Sequence, residues 1–244
     1  MIKEPVKYCV VDVGNTRVKV LDFENDEIVW QRTILLEDTK ELENILSAKN
    51  SLTSILSSVL DKKTNDWIIN LLNPTLVLNK ETPLPIRIDD YETPQTLGAD
   101  RIANAVAANQ YAEHDHSLVI DIGTCIKFDL VIKGSYQGGS IAPGYAMRLK
   151  AMHEFTGALP LLELEDFKPF IGKSTKQSML SGVNNGVQAE LSGFIAYYTQ
   201  QYQPLTIFLT GGDHKRFDKE LKNSIFADDN LTVKGLYIIL KHNV

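Results

Sequence analysis

The stretch Asp12-Val13-Gly14-Asn15-Thr16 recurs in shortened form as Asp121-Ile122-Gly123-Thr124, and this repetition decides the fold of the chain. Each copy ends one apolar run and precedes another, which predicts a strand, a tight glycine turn and a returning antiparallel strand. Gly14 and Gly123 permit backbone angles closed to other residues and let a ligand approach the main chain. The duplication therefore predicts two similar lobes that together hold one phosphate ligand and its metal ion.

Composition narrows the class of protein. The 244 residues carry a net charge of -6, which disfavours a nucleic-acid-binding surface, and no apolar run is long enough to span a bilayer. The two cysteines, Cys9 and Cys125, lie in predicted strands, which disfavours a disulfide framework and indicates a reducing compartment. Because the first residues do not resemble a signal peptide, we expect a cytoplasmic protein without a membrane partner.

The predicted elements follow the same order in both halves: three strands, then alternating helices and strands. An Ala-rich helix over Gly98–Tyr111 crosses between the halves, so we predict one lobe at residues 1–113 and a second at 114–244. The second half also contains a long predicted helix over Lys176–Gln201 and two shorter ones over Lys215–Asn223 and Val233–Lys241. This α/β plan is typical of the actin-like and sugar-kinase-like ATPases, but element order alone is a weak guide to function.

The first turn has the donors that a phosphate requires. Its backbone N–H groups and the Asn15 and Thr16 side chains can donate to phosphate oxygens, and Asp12 can hold Mg²⁺ directly or through water. A plain hairpin turn is the alternative for one copy alone, and the second copy favours the functional interpretation. Lys19, on the returning strand, faces either the phosphates or solvent.

A second candidate site opens the Ala-rich helix with Gly98-Ala99-Asp100-Arg101. Asp100 can complement the helix dipole, or it can accept a proton from a substrate hydroxyl while Arg101 holds a carboxylate or phosphate. The residues alone leave both interpretations open. Gly138–Gly144 and Leu209–Asp213 are glycine-rich and indicate close approach of a ligand. The five histidines show no metal-ligand spacing and are expected at the surface: His114, His116, His153, His214 and His242.

Taken in this order, the motifs resemble the type III pantothenate kinases of many bacteria. The resemblance covers most of the chain and also includes Tyr91 and the run from Gly172 to Gly182. It implies two ribonuclease-H-like lobes with the nucleotide in the cleft between them, and ATP-dependent phosphorylation of pantothenate to 4′-phosphopantothenate. It also implies a homodimer. The long helix, through Ala189, Leu191 and Ile195, is apolar enough to bury a face against another subunit.

The resemblance assigns a role to each matched residue. The phosphate-binding segment consists of Asp12, Val13, Gly14, Asn15, Thr16, Arg17, Val18 and Lys19, with Thr124 as the matching contact from the second lobe. Asp121 resembles the ligand of a monovalent cation, K⁺ or NH₄⁺. The residues that resemble the pantothenate site are Tyr91, Gly98, Ala99, Asp100, Arg101 and Thr175, with Asp100 as the proton acceptor.

Two residues depart from the commonest pattern of that family. Cys125 and Lys127 stand where many relatives have Ala and Thr, and Lys127 alters the cation or phosphate contact unless its side chain points outward. Two alternative functions remain: a kinase for another small alcohol or acid of the same superfamily, and a non-catalytic nucleotide-binding regulator. The presence of Asp12, Asp100 and Asp121 together disfavours the regulator, which has no use for a base beside an alcohol site.

Overall fold

The computed structural model describes residues 7–217 and 225–244. The chain divides into two compact units, one formed by Met1–Gln110 with Asn230–Val244 and the other by Tyr111–Asp229. Within the described ranges, no helix is both long and apolar enough to cross a membrane. The helix predicted over Lys215–Asn223 extends into residues 218–224, which lie outside the described residues.

The first unit is built on one mixed sheet. Its elements, followed by the helix that crosses into the second unit, are β1 (Lys7–Val13), β2 (Arg17–Glu24), β3 (Glu27–Leu35), α1 (Thr39–Ser47), β4 (Thr53–Ser58), α2 (Lys62–Leu72), β5 (Leu76–Val77) and α3 (Ala99–Tyr111). The sheet has five strands in the order β3-β2-β1-β4-β5. The first three strands pair antiparallel, whereas β1, β4 and β5 pair parallel.

The second unit repeats this plan. The remaining elements are β6 (His116–Ile122), β7 (Cys125–Ile132), β8 (Ser135–Pro143), α4 (Tyr145–Glu154), α5 (Thr175–Gln201), β9 (Leu205–Thr210), β10 (Ile225–Ala227) and α6 (Leu231–Asn243). The five strands lie in the order β10-β9-β6-β7-β8, with β6, β7 and β8 antiparallel and β6, β9 and β10 parallel. Read from the other edge, this is the topology of the first sheet, so the repeated turn marks a duplicated unit.

Local sequence explains where the elements begin and end. Asn25 and Asp26 take positive φ angles of 53° and 68°, the conformation of a two-residue hairpin turn, and so connect β2 to β3 as predicted. Asp61 caps α2 by accepting from the backbone N–H groups of Lys63 and Thr64, and Asn73 ends the helix in a left-handed conformation.

The last helix, α6, belongs to the first unit, although the predicted second lobe of residues 114–244 included it. Tyr237 stacks on Phe23 of β2 with ring centroids 4.1 Å apart, and its hydroxyl donates to Asp26 Oδ1 at 2.8 Å. Gly235 lies against α3, where an added Cβ would be only 1.8 Å from the carbonyl oxygen of Ala103. The apolar face of α6 thus covers the first sheet, a pairing between distant segments that element order does not reveal.

We predict that Gly235→Ala destabilises the protein. The new methyl group cannot fit beside the Ala103 carbonyl without moving α6 away from α3, and such overpacking costs about 1–3 kcal/mol. Gly157→Ala is the matched control, because an added Cβ at Gly157 meets nothing within 4 Å. Thermal and urea unfolding measure both variants; an unchanged midpoint for Gly235→Ala would contradict the close packing of these helices.

Candidate active site

The first repeated turn joins β1 to β2 and presents its middle residues to solvent. The Gly14 N–H donates to the Arg17 carbonyl at 2.9 Å, which closes the turn. Asn15, Thr16 and Arg17 are exposed, so their side chains are available to a ligand. The other members of the predicted phosphate segment differ: Val13 and Val18 are buried in the core, and only their backbone can contribute. Asp12 and Lys19 are partners in the β1–β2 register.

The second repeated turn joins β6 to β7 in the same way. The Gly123 N–H donates to the Cys125 carbonyl at 3.0 Å, and Thr124 is exposed at the tip. Asp121 and Lys127 are cross-strand partners, and Lys127 Nζ donates to Asp121 Oδ2 at 2.8 Å. Lys127 therefore does not point outward, and its ammonium group lies directly on the carboxylate predicted to hold a monovalent cation.

The loop after β9 encloses Asp121 from another side. Thr210 is the parallel-strand partner of Asp121, and Gly211 follows with a φ of +93°. A Cβ on Gly211 would be 2.4 Å from Asp121 Oδ1, so only glycine allows this approach. The Asp213 N–H donates to the Ile122 carbonyl at 2.9 Å and fastens the loop to the end of β6. The glycine-rich segment Leu209–Asp213 is thus part of the wall around Asp121.

The glycines of Gly138–Gly144 serve protein packing. Gly139 lies in β8 against the backbone of Phe128, where an added Cβ would be 1.6 Å from the carbonyl oxygen. Gly144 begins α4, and its N–H donates to the Thr124 carbonyl at 3.0 Å. These glycines lie in a strand and at a helix N-cap, where close backbone packing requires them. The predicted close approach of a ligand is therefore not needed to explain them. Next to Gly144, burial and then the nearby Asp213 carboxylate raise the pKa of Tyr145 to about 12.

The start of α3 holds the predicted base. Asp100 is partly exposed in the first turn, and its Oδ1 accepts from the Arg101 backbone N–H at 2.9 Å. An added Cβ on Gly98 would be 2.6 Å from that Oδ1, so the glycine leaves room for the carboxylate. Arg101 is only 6% exposed, which favours the interpretation that it orients its neighbours over direct substrate binding. Ala99 begins the helix and contributes backbone alone.

The remaining predicted substrate residues lie in different units. Tyr91 is half-buried in the irregular segment before α3, and its N–H donates to the Ile88 carbonyl at 3.2 Å. Thr175 is the exposed first residue of α5 in the second unit. The N-cap residue Ser174 accepts from the Gln177 N–H at 3.2 Å, which fixes the helix start beside Thr175.

Two residues of this region were not foreseen from the sequence. Lys127 was noted only as a departure, yet it makes the ion pair with Asp121. Its position opposite Asp121 in a tight hairpin was the available signal. His214 was expected at the surface but is 2% exposed, and its Nδ1 lies 2.7 Å from the Gly211 carbonyl oxygen. His214 therefore stabilises the loop that closes on Asp121.

Residues 8–197 match the family model described as type III pantothenate kinase. The chain belongs to the type III pantothenate kinase family. The chain is 42% identical over 239 residues to the type III pantothenate kinase of Bacteroides fragilis, covering 96% of this chain and 97% of that protein. The expectation drawn from the motifs is thereby confirmed at the level of the family.

Solved structures confirm the duplicated actin-like fold. A ROK family glucokinase from Streptomyces griseus, solved with glucose and AMPPNP, superposes with a TM-score of 0.55 at 9% identity, covering 98% of this chain and 99% of that chain. A Campylobacter jejuni protein assigned to the Baf family of transcriptional activators gives 0.62 at 21% identity, covering 96% of this chain and 98% of that chain. At these identities the similarity concerns the fold alone.

Each repeated turn carries one carboxylate that is a candidate cation ligand: Asp12 for Mg²⁺ and Asp121 for a monovalent cation. Mg²⁺ usually takes one or two carboxylates, with phosphates and waters completing its shell, so a single carboxylate such as Asp12 fits this mode of binding. In the part of the chain that the structure describes, no three His, Cys, Asp or Glu residues form a metal-binding group. At Asp121, the Lys127 ammonium already donates to Oδ2.

We predict that Gly211→Ala weakens nucleotide binding. The methyl group would displace the Asp121 carboxylate, and the positive φ of residue 211 adds strain, so we expect a loss of roughly tenfold or more in affinity for ATP with Mg²⁺. Gly157→Ala is the control, because its Cβ would meet nothing within 4 Å and the residue lies outside the segment around Asp121. Isothermal titration calorimetry measures both; equal affinities would remove Gly211 from the site.

Proposed function

We propose that this chain catalyses the ATP-dependent phosphorylation of the primary hydroxyl of pantothenate, which gives 4′-phosphopantothenate at the first step of coenzyme A biosynthesis. The observation that carries the proposal is that the family match over residues 8–197 runs through both repeated turns and Asp100. The relative from Bacteroides fragilis supports the same reaction along nearly the whole chain. The cytoplasmic location expected from the sequence remains a prediction.

Binding and neutralising the triphosphate is the first task of such a kinase. Phosphoryl transfer depends mainly on positioning and on stabilisation of charge. In our proposal, the N–H groups and side chains of Asn15 and Thr16 donate to phosphate oxygens, and Thr124 does the same from the second turn. Mg²⁺, when bound, screens the phosphate charge, and Asp12 holds it directly or through water. Lys19, opposite Asp12 in the register, adds a fixed positive charge.

Asp100 accepts the hydroxyl proton of pantothenate in this proposal. Its position in the first turn of α3 suits a base, because the side chain is only partly buried. Gly98 provides the space around this carboxylate. The buried Arg101 side chain acts mainly by orienting the start of the helix.

The remaining substrate contacts stay proposals carried by the family pattern. Tyr91 and Thr175 bind pantothenate, with the Tyr91 ring as a wall and the Thr175 hydroxyl as a hydrogen-bonding group. Asp12 and Asp100 lie in the first unit, and Asp121 and Thr175 lie in the second. The monovalent cation predicted at Asp121 remains a prediction, and the Lys127 ammonium bonded to that carboxylate disfavours it.

We also propose that the protein is a homodimer that pairs through one face of α5. Leu191 and Ile195, expected to form the interface, are buried in the core of the second unit and cannot do so. A different face is open instead, because spacings of three and four residues align small exposed residues along one side of the helix. These residues are Gly182, Gly186, Ala189, Gly193 and Ala196.

This small-residue face is suited to a second copy of the same helix. Nothing lies within 4 Å of a Cβ added at Gly182, Gly186 or Gly193, so the backbone itself is open to close contact. A two-fold axis would bring identical small residues together, and the face carries no charge that would repel its copy. Thr175 lies on the first turn of the same helix, which accounts for a substrate contact beside the interface.

We predict that Asp100→Asn lowers turnover by roughly 10²–10⁴-fold while ATP binding persists, because the amide keeps the shape but cannot accept the proton. Asp66→Asn, an exposed position on α2, is the control and should leave turnover unchanged. ADP release coupled to pantothenate, compared with a panel of other small alcohols and acids, measures both. Near-normal turnover of Asp100→Asn would exclude Asp100 as the base. Faster turnover with another alcohol than with pantothenate would show that pantothenate is not the substrate.

We predict that Gly186→Glu converts the dimer to a monomer, because two carboxylates would be buried against each other at the two-fold axis. Gly157→Glu is the control, since Gly157 is exposed and lies outside α5. Sedimentation velocity distinguishes the two states. A wild-type monomer, or a Gly186→Glu dimer, would refute this interface.

A further inference from the structure

The environment of Asp121 is unusual because a cation from the protein itself occupies it. Asp121 is the penultimate residue of β6 and Lys127 lies opposite it on β7, so both side chains project from the same face of the sheet. Lys127 Nζ and Asp121 Oδ2 are 2.8 Å apart, a charge-assisted hydrogen bond. The two side chains are only 17% and 13% exposed, so solvent and salt screen the pair weakly.

The backbone approaches the carboxylate from a second side. Gly211 lies so close to Asp121 Oδ1 that an added Cβ would be 2.4 Å away. On the turn itself, the Thr124 carbonyl accepts from the Gly144 N–H at 3.0 Å. One carbonyl oxygen of the kind that replaces the hydration shell of a potassium ion therefore already has a protein donor.

Electrostatics opposes a second cation at the same carboxylate. An ion bound to Asp121 would lie within a few ångströms of the Lys127 ammonium, and the repulsion between them would be comparable to the attraction of either for the carboxylate. Lysine is also a compact point charge, closer to a metal cation in its field than the planar guanidinium of arginine is.

We propose that the Lys127 ammonium supplies the positive charge beside Asp121 that a bound monovalent cation would otherwise supply, so that this kinase works without potassium or ammonium. The inference rests on the proposed kinase function. Lys127 acts as a positioning residue: it holds the Asp121 carboxylate and offsets its repulsion of the triphosphate, and a nucleotide then meets a neutral pair.

The test compares potassium dependence between lysine variants. Wild-type protein is dialysed into choline chloride and assayed with and without KCl at constant ionic strength, and turnover should change by less than about twofold. Lys127→Met removes the charge and should lose about tenfold or more of turnover and ATP affinity in choline, with KCl restoring part of both. Lys127→Arg keeps a charge and should stay independent of potassium.

Further variants separate this electrostatic role from a purely structural one. Lys127→Thr provides a second neutral residue if the Met variant folds poorly, which circular dichroism reports. Lys150→Met, at an exposed position on α4, is the matched control and should behave as wild type. A purely structural role for Lys127 would lower activity equally with and without potassium, and that result would overturn the proposal.

A measurement of ATP binding tests the role of Lys127 separately from the proposed reaction. Calorimetric titration of ATP with Mg²⁺, in choline and in KCl, requires no pantothenate turnover. If no salt supports turnover, the proposed function fails while this measurement still decides the role of Lys127. Wild-type affinity or turnover that rises tenfold with KCl, or Lys127→Met affinity equal to wild type in choline, would overturn the inference.

Discussion

The arrangement of the candidate site depends on how the first strand of each sheet ends. β1 and β6 pair antiparallel with one neighbour and parallel with the other, so each terminal carboxylate lies between two strands. On the antiparallel side, the register opposes Asp12 with Lys19 and Asp121 with Lys127. On the parallel side, loops leave the sheet at the same edge, which is where ligands bind in open α/β sheets.

Close backbone contact turns this edge into a defined surface in the second unit. Gly211 approaches the Asp121 carboxylate, and Gly144 approaches the Gly123 and Thr124 carbonyls, at distances that no side chain would permit. The buried His214 ring and the Asp213 N–H fix the loop after β9 against the end of β6. These contacts hold the carboxylate in place before any nucleotide binds, which is the preorganisation that charge stabilisation requires.

The long helix α5 contributes to the core of the second unit and carries the face proposed for the dimer. Its apolar residues, including Leu191 and Ile195, complete the core of the second unit, while its opposite side carries glycine and alanine without charge. One face of the helix is thus buried in the core, and the opposite face is exposed. The N-cap of Ser174 and the exposed Thr175 set the start of that helix, so the proposed contact between copies and the proposed substrate contact lie on the same helix.

Short-range periodicity, turn chemistry and motif order predict the duplicated strand–turn–strand, most element boundaries and the candidate residues. The Asn25-Asp26 hairpin and α5 are examples. The packing of α6 on the first sheet and the burial of His214 could not be predicted in this way, because they depend on how segments pack in three dimensions. The bond between Lys127 and Asp121 lies within one hairpin, and the register of that hairpin sets it, which residue type alone does not encode.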